Sequence, residues 1–269
     1  MKLINLFIVL SFISCKNPKQ DFDTRTIYAL DKPSTIWKLP KELDEISGIS
    51  ILNYPKIVCI NDEQGKIFEY DLESKTIENM IKFSKKGDYE DVAIKGDTIF
   101  VLRSNGTLFQ VQPTHKVDVF DTFLSRKENT EGLYYDVDKK RLLIACKNKI
   151  KTEDGNKYAI YSFDLRTNKL NSIPAFTISK DDFKYKIKSR NFAPSGLALN
   201  PKTNTLFIIS SVGKTMIEMN LEGKILNEFS LNYSHFSQPE GIMFTQNGDL
   251  YISNEGKTSK ATILKFNYL

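Results

Sequence analysis

The sequence predicts an all-β fold, a five-bladed β-propeller closed by an N-terminal strand. Three observations carry this. A short phrase recurs at Glu45-Ile46-Ser47-Gly48, Tyr89-Glu90-Asp91, Thr130-Glu131-Gly132, Pro194-Ser195-Gly196 and Pro239-Glu240-Gly241, so that Gly48, Asp91, Gly132, Gly196 and Gly241 stand 43, 41, 64 and 45 residues apart. Each phrase opens the same series of short apolar runs broken by turn residues, and four-stranded units of about 40–50 residues are the mark of a propeller. The last unit stops after three runs, while a spare strand, "STIWKLP" (34–40), stands before the first. No stretch of the mature chain sustains a helical period.

The N-terminal segment is a different material. Met1-Lys2 supplies a short positive start and Leu3 to Ile13 is nearly continuous hydrocarbon. A bilayer core of about 30 Å needs about 20 apolar residues, so this run reads as a secretory signal over 1–14. Cys15, directly after Ser14, resembles the lipobox of bacterial lipoproteins, in which cleavage before the cysteine leaves an acylated N-terminus; the alternative is a plain signal with a chance cysteine. Residues 15–31 are polar and contain proline, as a lipidated tether should be, and 32–269 form the propeller domain. Cys59 and Cys146 remain, on apolar strand patterns at non-equivalent repeat positions, which predicts two buried thiols over a disulfide.

Within the domain, "STIWKLP" supplies the strand that the last blade lacks, placing Trp37, the only tryptophan, in the closing blade. Closure removes the exposed edge that an open array would leave; a solenoid with free ends is the alternative. The first strands are "ISIL", "VAI", "LYYDV", "LALN" and "IMFT". The second are "KIVCIND", "TIFVLRS", "RLLIACK", "TLFIISS" and "DLYISNE", and a third follows in every unit. The long third interval holds two insertions, "NKIKTEDGN" (148–156) in a hairpin and "SKDDFKYKIKSRNF" (179–192) in the link to the next unit. At 41% hydrophobic residues the chain can fill a sizeable core. Its net charge of +5 is spread along the chain, without the clustered basic face that nucleic acid demands.

The first strand of each blade lines the central channel, so the residue before it is repeated around one axis. That slot holds Ser47, Glu90, Glu131, Ser195 and Glu240. Three glutamates converging on an axis raise one another's pKa unless a cation or a basic side chain sits between them.

The phrases "ELDEISGIS", "VCINDEQGKIFEYDL", "GDYEDVAI", "NTEGLYYD", "APSGLALNP" and "PEGIMFTQNGDLYISNEGK" resemble the SdiA-regulated (YjiK-like) family of bacterial propeller proteins, over residues 39–266. The resemblance implies a five- or six-bladed propeller; the repeat count favours five, with six as the alternative. It implies little chemistry.

The sites follow from the slot. Glu90, Glu131 and Glu240 offer oxygen ligands for Ca²⁺, helped by Asp62, Asn254 and Glu255 near second-strand ends, with Glu45 a weaker candidate. An all-oxygen set suits calcium or magnesium better than zinc or copper. The alternative is that the glutamates cap strand-end amides or pair with Arg103 and Lys147. Arg103, Lys147 and Lys214 near strand ends, with Ser47 and Ser195 in the slot, are candidates for holding an anionic or polar ligand. His115 and His235 lack a visible partner, and no nucleophile elbow, phosphate loop or zinc-binding motif occurs. The expectation is an exported, monomeric binding module, tethered through Cys15 to a membrane of the bacterial cell envelope on its periplasmic or surface side. It would carry a cation at its acidic channel mouth and take an unknown protein or small-molecule ligand. The alternative is a calcium-dependent hydrolase of phosphate esters or lactones.

Overall fold

A computed structural model describes residues 27–184, 191–256 and 259–269. Residues 1–26, which include the expected signal segment, Cys15 and most of the expected tether, lie outside the described residues.

Alternation of apolar and polar residues makes strands, and the turns between them keep neighbours antiparallel. After β1 (Thr35–Lys38), blade one is β2 (Ile46–Asn53), β3 (Lys56–Asn61), β4 (Lys66–Asp71) and β5 (Thr76–Lys82). Blade two is β6 (Tyr89–Lys95), β7 (Thr98–Arg103), β8 (Leu108–Val111) and β9 (Val117–Phe120). Blade three has β10 (Thr130–Asp136), β11 (Arg141–Cys146) and the long β13 (Gly155–Asp164). The insertion at 148–156 forms a hairpin arm of β13 with β12 (Ile150–Thr152), and the fourth strand is split into β14 (Lys169–Leu170) and β15 (Phe176–Ile178). Blade four is β16 (Gly196–Asn200), β17 (Thr205–Ser210), β18 (Thr215–Met219) and β19 (Ile225–Ser230). Blade five is β20 (Pro239–Phe244), β21 (Leu250–Asn254) and β22 (Thr262–Phe266), completed by β1, whose Thr35, Ile36, Trp37 and Lys38 pair with Lys265, Leu264, Ile263 and Thr262. The expected closure is therefore present. Among the described residues helix is confined to two single turns, Lys41–Leu43 and Lys180–Asp182.

The core consists of five apolar clusters, one at each blade–blade interface. Successive side chains of a strand leave by opposite faces, so each blade feeds two interfaces. In β3, Cys59 joins the interface with blade five while Val58 and Ile60 join the one with blade two. Cys146 lies in the interface between blades two and three. The two cysteines are thus free, buried and in separate clusters, as expected. Trp37, 7% exposed, stacks on Tyr251 and donates its indole N–H to the Leu72 carbonyl at 2.7 Å, tying the closing strand to blade one. Tyr28, within the segment read as tether, is 1% exposed and packs between blades four and five beside Phe207, Phe244 and Tyr268.

Candidate functional site

The slot residues owe their aim to a repeated irregularity of the ladder. In four of the five inner strands the register slips at the slot: between Ile46 and Ile49, Tyr89 and Asp91, Thr130 and Gly132, and Pro239 and Ile242. Such a bulge inserts a residue and redirects its side chain. Ser47, Glu90, Glu131 and Glu240 are the residues so placed. In blade four Ser195 precedes β16, and its N–H bonds the Ile209 carbonyl at 2.8 Å.

A residue without a Cβ beside the slot lets the inner strands close up. A Cβ on Gly48 would lie 2.2 Å from Asp91 Oδ1 and 2.5 Å from Asp91 Cα, and one on Gly241 would lie 2.6 Å from the Ser47 carbonyl. Hydrogen bonds rivet the same level. Ser253 Oγ donates to the Ser47 carbonyl at 2.7 Å, Ser195 Oγ to the Pro239 carbonyl at 3.0 Å, and Thr130 Oγ1 to the Arg103 carbonyl at 2.8 Å. This narrow level separates two cavities that share no lining residue.

The cavity on the slot side is a polar cup of about 250 Å³, lined by Ser47, Asp62, Asp88, Glu90, Asn129, Glu131, Lys147, Gln238, Glu240 and Glu255. Six of these are carboxyls, and Lys147 is the one basic side chain among them. Glu131, 4% exposed, accepts from Lys147 Nζ at 3.0 Å and from Asn129 Nδ2 at 2.8 Å, both on Oε1. Burial, with Glu131, Asp88 and Glu240 as like-charged neighbours, pushes the Glu90 carboxyl up to about 10. Burial and then Glu131 raise Glu240 to about 8. Burial, then Glu45 and Glu255, raise Asp62 to about 7. For Glu131 burial outweighs the ion pair with Lys147, and its pKa also lies above the usual range. Lys147 goes the other way: burial works against its ammonium, but Glu131, Glu240 and Glu90 together overcome it and raise its pKa. One lysine is thus shared among acids that it cannot all neutralise.

The sequence-derived candidates divide cleanly. Glu90, Glu131, Glu240, Asp62, Glu255, Ser47 and Lys147 meet in the cup. Arg103, Asn254 and Ser195 do not line it. Register explains the first two: Tyr89 pairs with Arg103, Thr130 with Cys146 and Pro239 with Asn254, so the cup-facing residues are the next ones along, such as Lys147 and Glu255. One residue of offset reverses the face. Asn254 is buried with its Oδ1 unpaired, and Ser195 is consumed as an inter-blade rivet. Lys214 bonds the Ser237 carbonyl and lies over Tyr233, and His235 lines a separate small pocket with Ser234 and Ser237. His115 sits at positive φ in the turn between β8 and β9.

The lining residues missed by sequence reasoning are Asp88, Asn129 and Gln238. A signal existed: each stands two positions before a slot glutamate, just ahead of β6, β10 or β20, so extending the repeated phrase by two residues would have included all three.

The donor set is all oxygen apart from Lys147 and the amide nitrogens, which suits a hard cation such as Ca²⁺, and Asp62 Oδ1 is buried without a partner. Among the described residues, no three His, Cys, Asp or Glu side chains stand close enough to form a ready-made metal site. A bound ion would have to draw the cup's carboxyls together.

Residues 175–267, the end of blade three and most of blades four and five, match the model of the SdiA-regulated family. Among curated proteins none matches the sequence. Among solved structures the chain is similar to glutaminyl cyclase of Myxococcus xanthus, 12% identical over 88% of this chain and 97% of that one, with a TM-score of 0.61. It is also similar to a gluconolactonase of Xanthomonas campestris, 11% identical over 82% and 72% with a TM-score of 0.54. Virginiamycin B lyase of Staphylococcus aureus is 10% identical over 87% and 99%, with a TM-score of 0.51. At these identities the likeness is one of fold.

Proposed function

We propose that this propeller is an exported binding module, tethered to a membrane through a lipidated Cys15, whose acidic cup takes up Ca²⁺ and presents that rim to a partner or small ligand. The observation that supports it best is the cup itself, six carboxyls around one cavity with a single amine. Glu90, Glu131, Glu240, Asp62 and Glu255 would hold the ion. A bound Ca²⁺ supplies positive charge that relieves the repulsion among them. Lys147, paired with Oε1 of Glu131, would fix that carboxyl and leave its second oxygen, with the other carboxyls, for the cation.

Calorimetric titration of the full chain with Ca²⁺ alone tests this. Wild type is expected to bind saturably. Glu131→Gln, with fold checked by circular dichroism, is expected to bind roughly 10- to 100-fold more weakly, the usual loss of metal affinity when a group supporting a metal site is removed. No binding by wild type ends the calcium reading.

A second reading, a calcium-dependent hydrolase of phosphate esters or lactones, draws on Glu90 and Glu240. With Glu131 they would hold the ion, which would polarise an ester or activate a water for attack. The similar solved structures include enzymes, a gluconolactonase among them, which adds a shared fold but no shared site. Turnover of a panel of phosphate esters and lactones with Ca²⁺ would favour this reading; binding without turnover leaves the first.

A further inference from the structure

We infer that the end of the channel opposite the acidic cup is the lipid-facing end of the molecule, and that the cup therefore points away from the membrane. The inference rests on the reading of Cys15 as a lipid anchor and adds to it which face meets the bilayer.

The channel changes character along its axis by a simple alternation. Beyond the slot bulge regular alternation resumes, so the side chains two and four positions after each slot residue share one face with each other. Two positions on stand Ile49, Val92, Leu133, Leu197 and Ile242. Four positions on stand Ile51, Ile94, Tyr135, Leu199 and Phe244. All ten line a mostly apolar well of about 340 Å³ at the far end, with Ser50 and Gln246 as its polar members. Each inner strand thus runs from polar to apolar along the axis, and the outer ring of five stays only half-buried. Around the well, hairpin tips carry Tyr54 and Val137, 53% and 62% exposed. The neighbouring hairpins hold Lys95, Lys139, Lys140 and Lys202, set against Asp97 and Asp138. An apolar centre with aromatic and lysine side chains at its margin is the composition that settles at a lipid interface.

The chain itself enters the fold at this end. The Ile27 carbonyl accepts from the backbone of Leu269 at 3.2 Å. Tyr28 Oη donates to the Gly248 carbonyl at 2.6 Å and accepts from Asn200 Nδ2 at 2.8 Å. Gly248 and Asn200 belong to the hairpins whose Gln246 and Pro201 line the well. Cys15 precedes Ile27 by 12 residues, a span of at most about 40 Å even when extended. An acyl group at Cys15 would therefore attach the chain from the well end, and the apolar well with its aromatic and lysine margin would turn that end toward the lipid.

The test labels the full-length lipoprotein with bimane at Val137→Cys, at Tyr54→Cys or, on the cup side, at Glu63→Cys; Cys59 and Cys146 are buried and stay unlabelled. Each variant is reconstituted into phosphatidylethanolamine–phosphatidylglycerol vesicles with brominated acyl chains. Flotation reports the anchor, and quenching reports the face. Quenching at Val137 and Tyr54 is expected to exceed that at Glu63 severalfold. Equal or reversed quenching overturns the inference. If the protein floats and the Val137 and Tyr54 probes stay unquenched, the anchor stands and the orientation alone fails, as it would if a protein partner covered this face. If the protein does not float, the anchor reading fails and the orientation with it.

Discussion

Asp91 stands where three of the other four repeats carry a glycine directly after a slot bulge, and the fourth carries Gly196 after Ser195. It is 3% exposed, and burial holds its carboxyl well above the usual range. Its Oδ1 accepts from the Val92 N–H at 2.8 Å and its Oδ2 from the Leu133 N–H at 2.6 Å, joining the inner strands of blades two and three. The repeat consensus would recommend Asp91→Gly. That change leaves two buried N–H groups unpaired, each costing about 1–3 kcal/mol. Urea unfolding of Asp91→Gly is expected to show a clear loss of stability, and an unchanged midpoint would show that water replaces both bonds. Gly48 is the complementary position. Gly48→Ala would thrust a methyl group at the Asp91 carboxyl and its Cα, and overpacking of this kind costs about 1–3 kcal/mol.

At the scale of elements, the closing strand is the most exposed commitment of the fold, because β1 comes from the opposite end of the chain to its partner β22. Trp37 is its main hold. Trp37→Ala is expected to cost about 3–5 kcal/mol, the range for deleting a large buried aromatic. Trp37→Phe should cost less, chiefly the lost bond to the Leu72 carbonyl. The check is guanidinium unfolding of both variants; a smaller loss for the alanine would mean that β1 is not held through this ring. That strand is legible in the sequence, since an incomplete last unit and an orphan first strand imply each other. The slot glutamates were readable for the same reason, as copies of one phrase. Arg103 and Asn254 misled because a strand end was located to within one residue, and one residue decides the face. The bulges were invisible: nothing in "TEGL" distinguishes an extra residue in the ladder from an ordinary strand start. The apolar well was hidden too, since Ile51, Tyr135 and Phe244 look like any core strand residues until the ring shows that their side chains meet at an open end.

At the scale of the whole molecule, the cup makes stability depend on pH in an unusual direction. In the unfolded chain Asp and Glu titrate near 4, whereas burial and mutual repulsion raise Asp62 to about 7, Glu240 to about 8 and Glu90 to about 10. Between those limits the folded protein keeps protons that the unfolded chain has released. Stability is then fullest below about pH 4 as far as these groups are concerned, and it drains away as pH rises through 7, 8 and 10. Asp88, Glu131 and Glu255 face the same space and add repulsion, and Lys147 alone opposes it. Carboxyls with the opposite bias, such as Asp164 held down to about 2 by Arg166, act only below about pH 4, outside this window. The melting temperature is accordingly expected to fall between pH 5 and pH 9, by a few degrees for each kcal/mol lost in a domain of this size. Glu90→Gln and Glu240→Gln should flatten the profile. A cation that binds only the folded state stabilises it by mass action and needs the carboxyls ionised. Ca²⁺ should therefore raise the melting temperature more at pH 9 than at pH 5 and restore much of the alkaline loss. A melting temperature that climbs from pH 5 to pH 9 without Ca²⁺ would mean that the carboxyls are already neutralised by something other than protons, and the cup would then have no unmet charge with which to attract a cation.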